Sequence, residues 1–357
     1  MQKFNDKFFL AANSCEGFVS HFGGSYIPGI WRAYIIKGGP GTGKSSFMKY
    51  IAAKATDKGF KVTLCPCSSD PLSLDGVIID DIKTVILDGT APHVVEPALP
   101  GACENIIDLG QFWDSRKLFS NAKEISAAAE KNARLHKTAA AYLSAAGEVL
   151  YDNLKISRLY TDRAAILRQA LRLSRRYLPE KQKKRGNEFV RFLGGTTPEG
   201  VVSFNKSVTE FYKTVVVFKD KYGGASGEIM KYLRAAAREK GYDIIVLKSP
   251  LLPNELIDHI LIPELSLAFV TENEYAKFDT DVRRIHSRRF ENKSILKKYR
   301  GRILFNRRIS KQLLLGACAT LKEAKSTHDQ LEKYYIGAMD FTSLSLFAAE
   351  KAKEILK

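Results

Sequence analysis

A glycine-rich segment near the start of the chain has the residue types and spacing of a phosphate-binding loop. Residues 38–45 follow the pattern G-x-x-x-x-G-K-[ST], with an apolar run before them and an amphipathic run after them. Glycines allow the main chain to approach phosphate oxygens closely, and successive N–H groups then form a concave anion site next to a helix N-terminus. The segment predicts a site for a nucleoside triphosphate, ATP, formed by Gly38, Gly39, Pro40, Gly41, Thr42, Gly43, Lys44, Ser45 and Ser46.

Two residues of the loop and one downstream carboxylate are predicted to carry the phosphate and metal chemistry. Lys44 is expected to reach the outer phosphates, and the Ser45 hydroxyl to coordinate Mg²⁺. A short apolar strand over 84–87 leads to Asp88, which we expect to hold the same ion, usually through water. The alternative role of Asp88 is only to begin the turn 88–90.

Three further residues are candidates for orienting the group that attacks the γ-phosphate. Gly89 follows Asp88, so the glutamate of the common hydrolytic Asp-Glu pair is missing. Asp70 and Asp75 follow the second predicted strand, and ligands of open sheets bind where strands end in this way. His93 lies just beyond Asp88 and is a candidate sensor of the γ-phosphate. Ser-Ser-Asp-Pro is also good turn chemistry, so Asp70 has a purely structural alternative.

An internal repeat organises the elements that position these residues. The halves match at an offset of 182 to 183 residues, which indicates a tandem duplication. The matching pairs include Phe9 and Phe192, Gly17 and Gly200, Met48 and Met230, Gly59 and Gly241, and Leu74 and Leu256. In each half, strands alternate with a helix, which predicts an α/β fold: two tandem P-loop NTPase-like three-layer α/β/α units with mainly parallel sheets.

Each unit is followed by a predicted helical hairpin extension. In the first extension the helix-forming pattern runs from about 113 to 177, with a turn expected near Asp152-Asn153; the second runs from about 302 to 356. The predicted domains are a P-loop domain (1–111), a helical hairpin with a basic linker (112–187), a degenerate P-loop-like domain (188–282) and a basic helical extension (283–357).

The second unit lacks the residues that would bind and hydrolyse a nucleotide. In the register of the repeat, residues 225–227 (Ala-Ser-Gly) stand opposite 43–45, and Thr271 stands opposite Asp88. Without the lysine and the carboxylate, this half is expected to be a scaffold. Weak anion binding by its 219–224 turn remains open as a second interpretation.

The charge balance favours anionic partners. The chain has 56 Lys plus Arg against 39 Asp plus Glu, a net charge of +17. Between 283 and 311 there are twelve basic residues and one acidic residue, with aromatic residues interspersed. This pattern is consistent with binding of nucleic acid or another polyanion, or with an ordinary solvated helix face.

Cysteine usage and hydropathy predict the compartment. Five scattered cysteines are typical of a reducing cytoplasm, no run is apolar enough to span a membrane, and we expect no signal peptide. A homo-oligomer, in which a neighbouring chain supplies an arginine to the site, is left open.

Residues 38–45, 67–71 and 88–93 together resemble a little-characterised bacterial family of duplicated P-loop ATPase-like proteins, sometimes labelled nucleotide kinases. The likeness extends over nearly the whole chain and implies ATP binding in a bacterial cytoplasm. Members of that family keep a recognisable P-loop in both halves, whereas this chain keeps one.

Three functional hypotheses follow. The first is a Mg²⁺-dependent ATPase with one competent site that couples nucleotide state to the helical extensions or to a partner. The second is a small-molecule or nucleoside kinase in which Asp70 acts as the base. The third is a nucleic-acid-binding protein switched by ATP.

Overall fold

Each half of the chain folds around a six-stranded sheet and a two-stranded hairpin in the computed structural model, which describes residues 6–92, 94–181, 184–279, 282 and 284–357. The strands of the first half are β1 (Asp6–Lys7), β2 (Ala11–Ser14), β3 (Gly17–Ser20), β4 (Arg32–Lys37), β5 (Val62–Pro66), β6 (Leu74–Ile79), β7 (Thr84–Asp88) and β8 (Glu104–Asp108). Those of the second half are β9 (Glu188–Arg191), β10 (Gly194–Thr197), β11 (Gly200–Ser203), β12 (Thr214–Lys219), β13 (Ile244–Lys248), β14 (Ile257–Ile262), β15 (Leu267–Glu272) and β16 (Arg284–His286).

The two large sheets have the same strand order. The first runs β1-β5-β6-β7-β4-β8 and the second β9-β13-β14-β15-β12-β16. In both, the third strand of this order is antiparallel to its two neighbours and the other pairs are parallel. The sheets are therefore mixed, although mostly parallel. The last strand, β16, belongs to the second sheet although it begins after residue 283.

The antiparallel strands β6 and β14 are elements that the sequence pattern did not predict. The sequence pattern predicts no strand between β5 and β7, but all six residues of β6 are buried. Turn-forming residues precede β6 and Gly76 interrupts it, so its apolar run is too short to recognise locally. A Cβ at Gly76 would lie 3.1 Å from side-chain atoms of both Leu10 and Leu87, which explains why glycine fits there.

Eight helices are described, two of them very long. They are α1 (Lys44–Asp57), α2 (Ser115–Ser120), α3 (Ala122–Leu159), α4 (Arg163–Tyr177), α5 (Lys206–Thr209), α6 (Gly224–Glu239), α7 (Lys293–Ile336) and α8 (Phe341–Ile355). Among the described helices, none is both long enough and apolar enough to cross a membrane.

The helical extensions cross over, so that each covers the sheet of the opposite half. Leu344, Ala348 and Ile355 of α8 complete the apolar core around α1 and the first sheet. Ile166 and Leu173 of α4 enter the core of the second half in the same manner. Each half therefore depends on a helix from the other for its packing.

The long helices α3 and α7 lie antiparallel against each other, and this contact corrects the predicted hairpin turn. The sequence pattern placed a turn at Asp152-Asn153, but α3 continues to Leu159. The Arg302 guanidinium donates to Asp152 at 2.6 and 2.8 Å, and the Asn306 amide donates to Asp152 and Asn153. These polar side chains are turn formers when alone, but here α7 supplies their partners and the helix persists.

Candidate nucleotide-binding site

The glycine-rich loop, residues 38–45, connects β4 to α1. Gly41 and Gly43 have φ angles of 68° and 88°, a left-handed conformation that residues with a Cβ rarely adopt. Gly43 is the N-cap of α1, so the loop ends at the positive end of that helix. None of the hydrogen bonds among the described residues uses a main-chain N–H between residues 39 and 46. These N–H groups therefore have no acceptor in the described part of the chain.

Lys44 lies over the loop, next to the end of the neighbouring strand β7. Its Nζ donates to the carbonyl oxygens of Gly38 and Gly39 at 3.1 and 2.7 Å, and lies 3.7 Å from Oδ2 of Asp88. The other oxygen of Asp88 accepts from the N–H and the hydroxyl of Thr90 at 2.9 and 2.5 Å. Asp88 therefore begins the predicted turn with one oxygen, while its other oxygen faces Lys44; its role as a metal ligand stays a prediction.

Ser45 and Asp75 lie beside Lys44 and Asp88. The Ser45 Oγ accepts from the N–H of Leu74 at 3.0 Å, which ties the start of α1 to β6. Asp75 follows on β6, a strand that the sequence pattern did not predict, and is 4% exposed. Since Gly76 pairs with Leu87, Asp75 lies close to Asp88. Burial, and next the charge of Asp88, raise the pKa of Asp75 to about 8.

The donor set formed by Ser45, Asp75 and Asp88 consists of one hydroxyl and two carboxylates. Hard divalent cations such as Mg²⁺ prefer oxygen ligands of this kind. A positive charge there would offset the repulsion that raises the pKa of Asp75. By its chemistry, the arrangement fits a magnesium ion.

Asp70 lies in the loop after β5, near enough to Asp75 for its charge to contribute to the raised pKa of that carboxyl. Its Oδ2 accepts from the Ser73 hydroxyl at 2.7 Å, and its carbonyl accepts from the Ser73 N–H, so the turn chemistry expected of this segment is present. Its Oδ1 lies 3.7 Å from Nζ of Lys325, which belongs to α7. His93 lies outside the described residues.

The C-terminal end of α7 packs directly on the glycine-rich loop. A Cβ at Gly39 would lie 2.5 Å from Cε1 of Tyr335, and one at Gly41 would lie 2.9 Å from the carbonyl oxygen of Glu332. The Tyr335 ring also meets the Trp113 ring edge-on, with centroids 6.0 Å apart. The loop is therefore enclosed by residues from the far end of the chain.

Local sequence patterns do not predict which residues enclose the loop. Lys325, Glu332 and Tyr335 lie about 290 residues beyond the loop, on a helix whose pattern shows only an apolar stripe. Their role comes from the crossover of the extensions.

The equivalent loop of the second half is shorter and is closed by its own carboxylate. Four residues separate β12 from α6, whereas six separate β4 from α1. Asp220, which is 5% exposed, accepts from the N–H groups of Tyr222 and Gly223, both at 3.2 Å. Its other oxygen accepts from the N–H groups of Ala225 and Ser226 at 2.9 and 2.8 Å. The carboxylate thus takes the place that a phosphate would have in a loop of this type.

No protein-family model, curated protein or solved structure matches this chain. The resemblance to duplicated P-loop ATPase-like proteins therefore stays a prediction.

Proposed function

We propose that the protein is a Mg²⁺-dependent P-loop ATPase with one competent site, in the first half. The observation that carries the proposal is the contrast between two equivalent loops. In the second, a buried carboxylate satisfies four main-chain N–H groups, whereas in the first such groups have no acceptor among the described residues. Main-chain donors at a helix N-terminus favour an anion, and the adjacent Lys44 favours a polyphosphate.

The metal-binding part of the proposal rests on the three oxygen donors beside Lys44. Ser45 and Asp88 would hold Mg²⁺, with Asp75 as a further ligand or as the group that orients the attacking water. When bound, the ion supplies positive charge that stabilises the charge developing on the phosphates. Lys44 acts on the same phosphates, from the loop side.

Replacing Asp88 by asparagine tests whether this carboxylate holds Mg²⁺. The side chain keeps its size and an acceptor for Thr90, but loses the negative charge that attracts a divalent cation. We expect ATP affinity in the presence of Mg²⁺ to fall at least about tenfold, while affinity in EDTA changes by less than about twofold. Isothermal titration calorimetry measures both. Asp57→Asn, at the exposed far end of α1, is the matched control. An unchanged Mg²⁺ dependence in Asp88→Asn would refute the assignment.

The enclosure of the loop by α7 supports coupling between nucleotide state and the helical extensions. Helix α7 has 44 residues and spans about 66 Å, from the second half to the loop of the first. Glu332 and Tyr335 contact the glycine-rich loop, so phosphates bound there would change the contacts of the C-terminal end of α7. A helix so placed can carry that change to the second half.

Hydrogen–deuterium exchange should detect this coupling. We expect MgATP to change the exchange of residues 328–344, which pack on the first loop. The equivalent segment, 150–162, packs against the carboxylate-closed loop of the second half and on α7, so we expect a smaller change there as well. A response confined to 328–344, or no response in either segment, would contradict coupling to the second half.

Phosphoryl transfer to an acceptor is the second candidate, and the pair Asp70–Lys325 favours it. This carboxylate and this ammonium group face each other at the edge of the site, with the lysine supplied by the enclosing helix. ADP release that depends on an added nucleoside or small alcohol, and that Asp70→Asn abolishes, would favour a kinase. Release that water alone supports would favour the ATPase.

A further inference from the structure

A large cavity lies not at the glycine-rich loop of the first half but beside the closed loop of the second. It has a volume of about 620 Å³ and lies between the end of β12, the end of β16 and the first turns of α7. We call it the basic cavity, because six Lys and Arg side chains line it: Lys219, Lys221, Arg288, Lys293, Lys297 and Arg300.

The positive charge of the basic cavity is poorly neutralised. Lys219 lies 3.6 Å from Glu272. In the described part of the chain, by contrast, no ion pair or side-chain hydrogen bond involves Arg288, Lys293, Lys297 or Arg300. Such a concentration of cations attracts an anion from solution.

The acidic groups of the basic cavity are already engaged elsewhere. Asp220 is surrounded by four main-chain N–H groups, and Glu291 accepts from the Ser287 hydroxyl at 2.8 Å. Burial, together with the charge of nearby Arg307, lowers the pKa of Lys221, as expected where cations accumulate. Six cationic side chains and two carboxylates line the cavity, so it has an excess of positive charge.

One wall of the basic cavity is apolar. Tyr160 and Tyr222 contribute rings, and Leu296 and Ile303 contribute aliphatic surface. On α7 these aliphatic residues recur on the face that carries Lys293, Lys297 and Arg300, because spacings of three, four and seven residues share one side of a helix. The volume lies in the range of small-molecule sites.

We propose that the basic cavity binds a small phosphorylated molecule with an aromatic or apolar part, a mononucleotide being the simplest member of this class. The anionic groups contact the side-chain cations of α7 and of the β12 end, and the ring lies against Tyr160 and Tyr222. Since Asp220 already occupies the main-chain donors, this site differs in kind from a phosphate-binding loop. It does not depend on ATP binding in the first half.

The test uses ADP and pyrophosphate as probes on the full-length chain carrying Lys44→Ala, which removes the lysine of the first loop. Titration calorimetry without Mg²⁺ at low salt should show one ADP per chain, bound more tightly than pyrophosphate because only ADP has a ring. Adding Lys297→Ala with Arg300→Ala should weaken ADP binding at least about tenfold, since both cations are lost. Both are exposed, so circular dichroism should show an unchanged fold.

The matched control removes the same charge from other positions of α7. Lys298→Ala with Arg308→Ala, at exposed residues that do not line the basic cavity, should leave ADP affinity within about twofold. Absence of binding by both probes, or equal losses in the two double variants, would overturn the proposal. Binding of a single-stranded RNA 20-mer without binding of either probe would also overturn it, because α7 would then be a surface that binds polyanions. Equal affinity for ADP and pyrophosphate would eliminate the role of the apolar wall.

Discussion

Replacing Lys44 by alanine is expected to lower ATP affinity at least about tenfold and single-turnover hydrolysis about a hundredfold or more. The ammonium group is the one cation that the glycine-rich loop itself places over its carbonyl oxygens, and it lies 3.7 Å from Asp88. It can therefore meet both the outer phosphates of a bound nucleotide and the charge that develops on them during transfer. Its removal leaves the main-chain donors in place, so binding weakens while hydrolysis falls further.

Two measurements separate this effect from a loss of folding or of general charge. Calorimetry with MgATP gives the affinity, and single-turnover release of labelled phosphate gives the rate. Lys49→Ala is the matched control, because Lys49 is an exposed residue of the same helix that donates to the carbonyl of Leu72 outside the site. If Lys44→Ala takes up and hydrolyses ATP like the control, the proposed function is wrong.

Replacing Asp220 by alanine should be among the most destabilising single changes in the second half. The substitution leaves four main-chain N–H groups without their buried acceptor. A hydrogen bond to a charged group contributes about 1.5–3 kcal/mol to stability, but the contributions of neighbouring bonds do not add. We therefore expect Asp220→Ala to lower the free energy of unfolding by about 3 kcal/mol. Chemical denaturation measures it. Asp220→Asn, which keeps one acceptor oxygen and nearly the same volume, should lose about half as much.

Sulfate provides a second test of the closed loop. If the carboxylate stands where an anion would otherwise bind, then sulfate should recover part of the stability that Asp220→Ala loses, by binding only the folded state. The wild-type protein should gain less from the same salt, and sodium chloride at equal ionic strength controls for screening. A small loss in Asp220→Ala, or the same sulfate effect in both proteins, would argue against this role of Asp220.

Local sequence information was sufficient for the elements that one short segment defines. The strand, loop and helix around residues 32–57 lie where the pattern predicts them, because glycine conformations, a helix N-terminus and an apolar strand are properties of neighbouring residues. The α/β class and the similarity of the two halves followed from the same kind of signal. The absence of the lysine from the second loop was also predicted from the sequence, whereas the closure of that loop by a carboxylate was not.

The position of Asp220 in the sequence already indicates that it closes the second loop. It directly follows the strand, at the position of Gly38 in the repeat, and it precedes the glycines of its own loop. A carboxylate with this spacing is typical of a side chain that caps main-chain N–H groups. A capping role for Asp220 therefore predicts that the second loop is closed by its own carboxylate.

Contacts between residues far apart in the chain decided the rest. The turn expected at Asp152-Asn153 is absent because α7 supplies partners for both side chains, and β6 is a strand because it is covered on both faces. The crossover of the extensions brings Lys325 and Tyr335 to a loop about 290 residues away. What the sequence determined by itself was the chemistry available at the loop. Which residues enclose it, and where the excess positive charge forms a cavity, depended on tertiary packing, because burial and charge proximity arise only when distant segments meet.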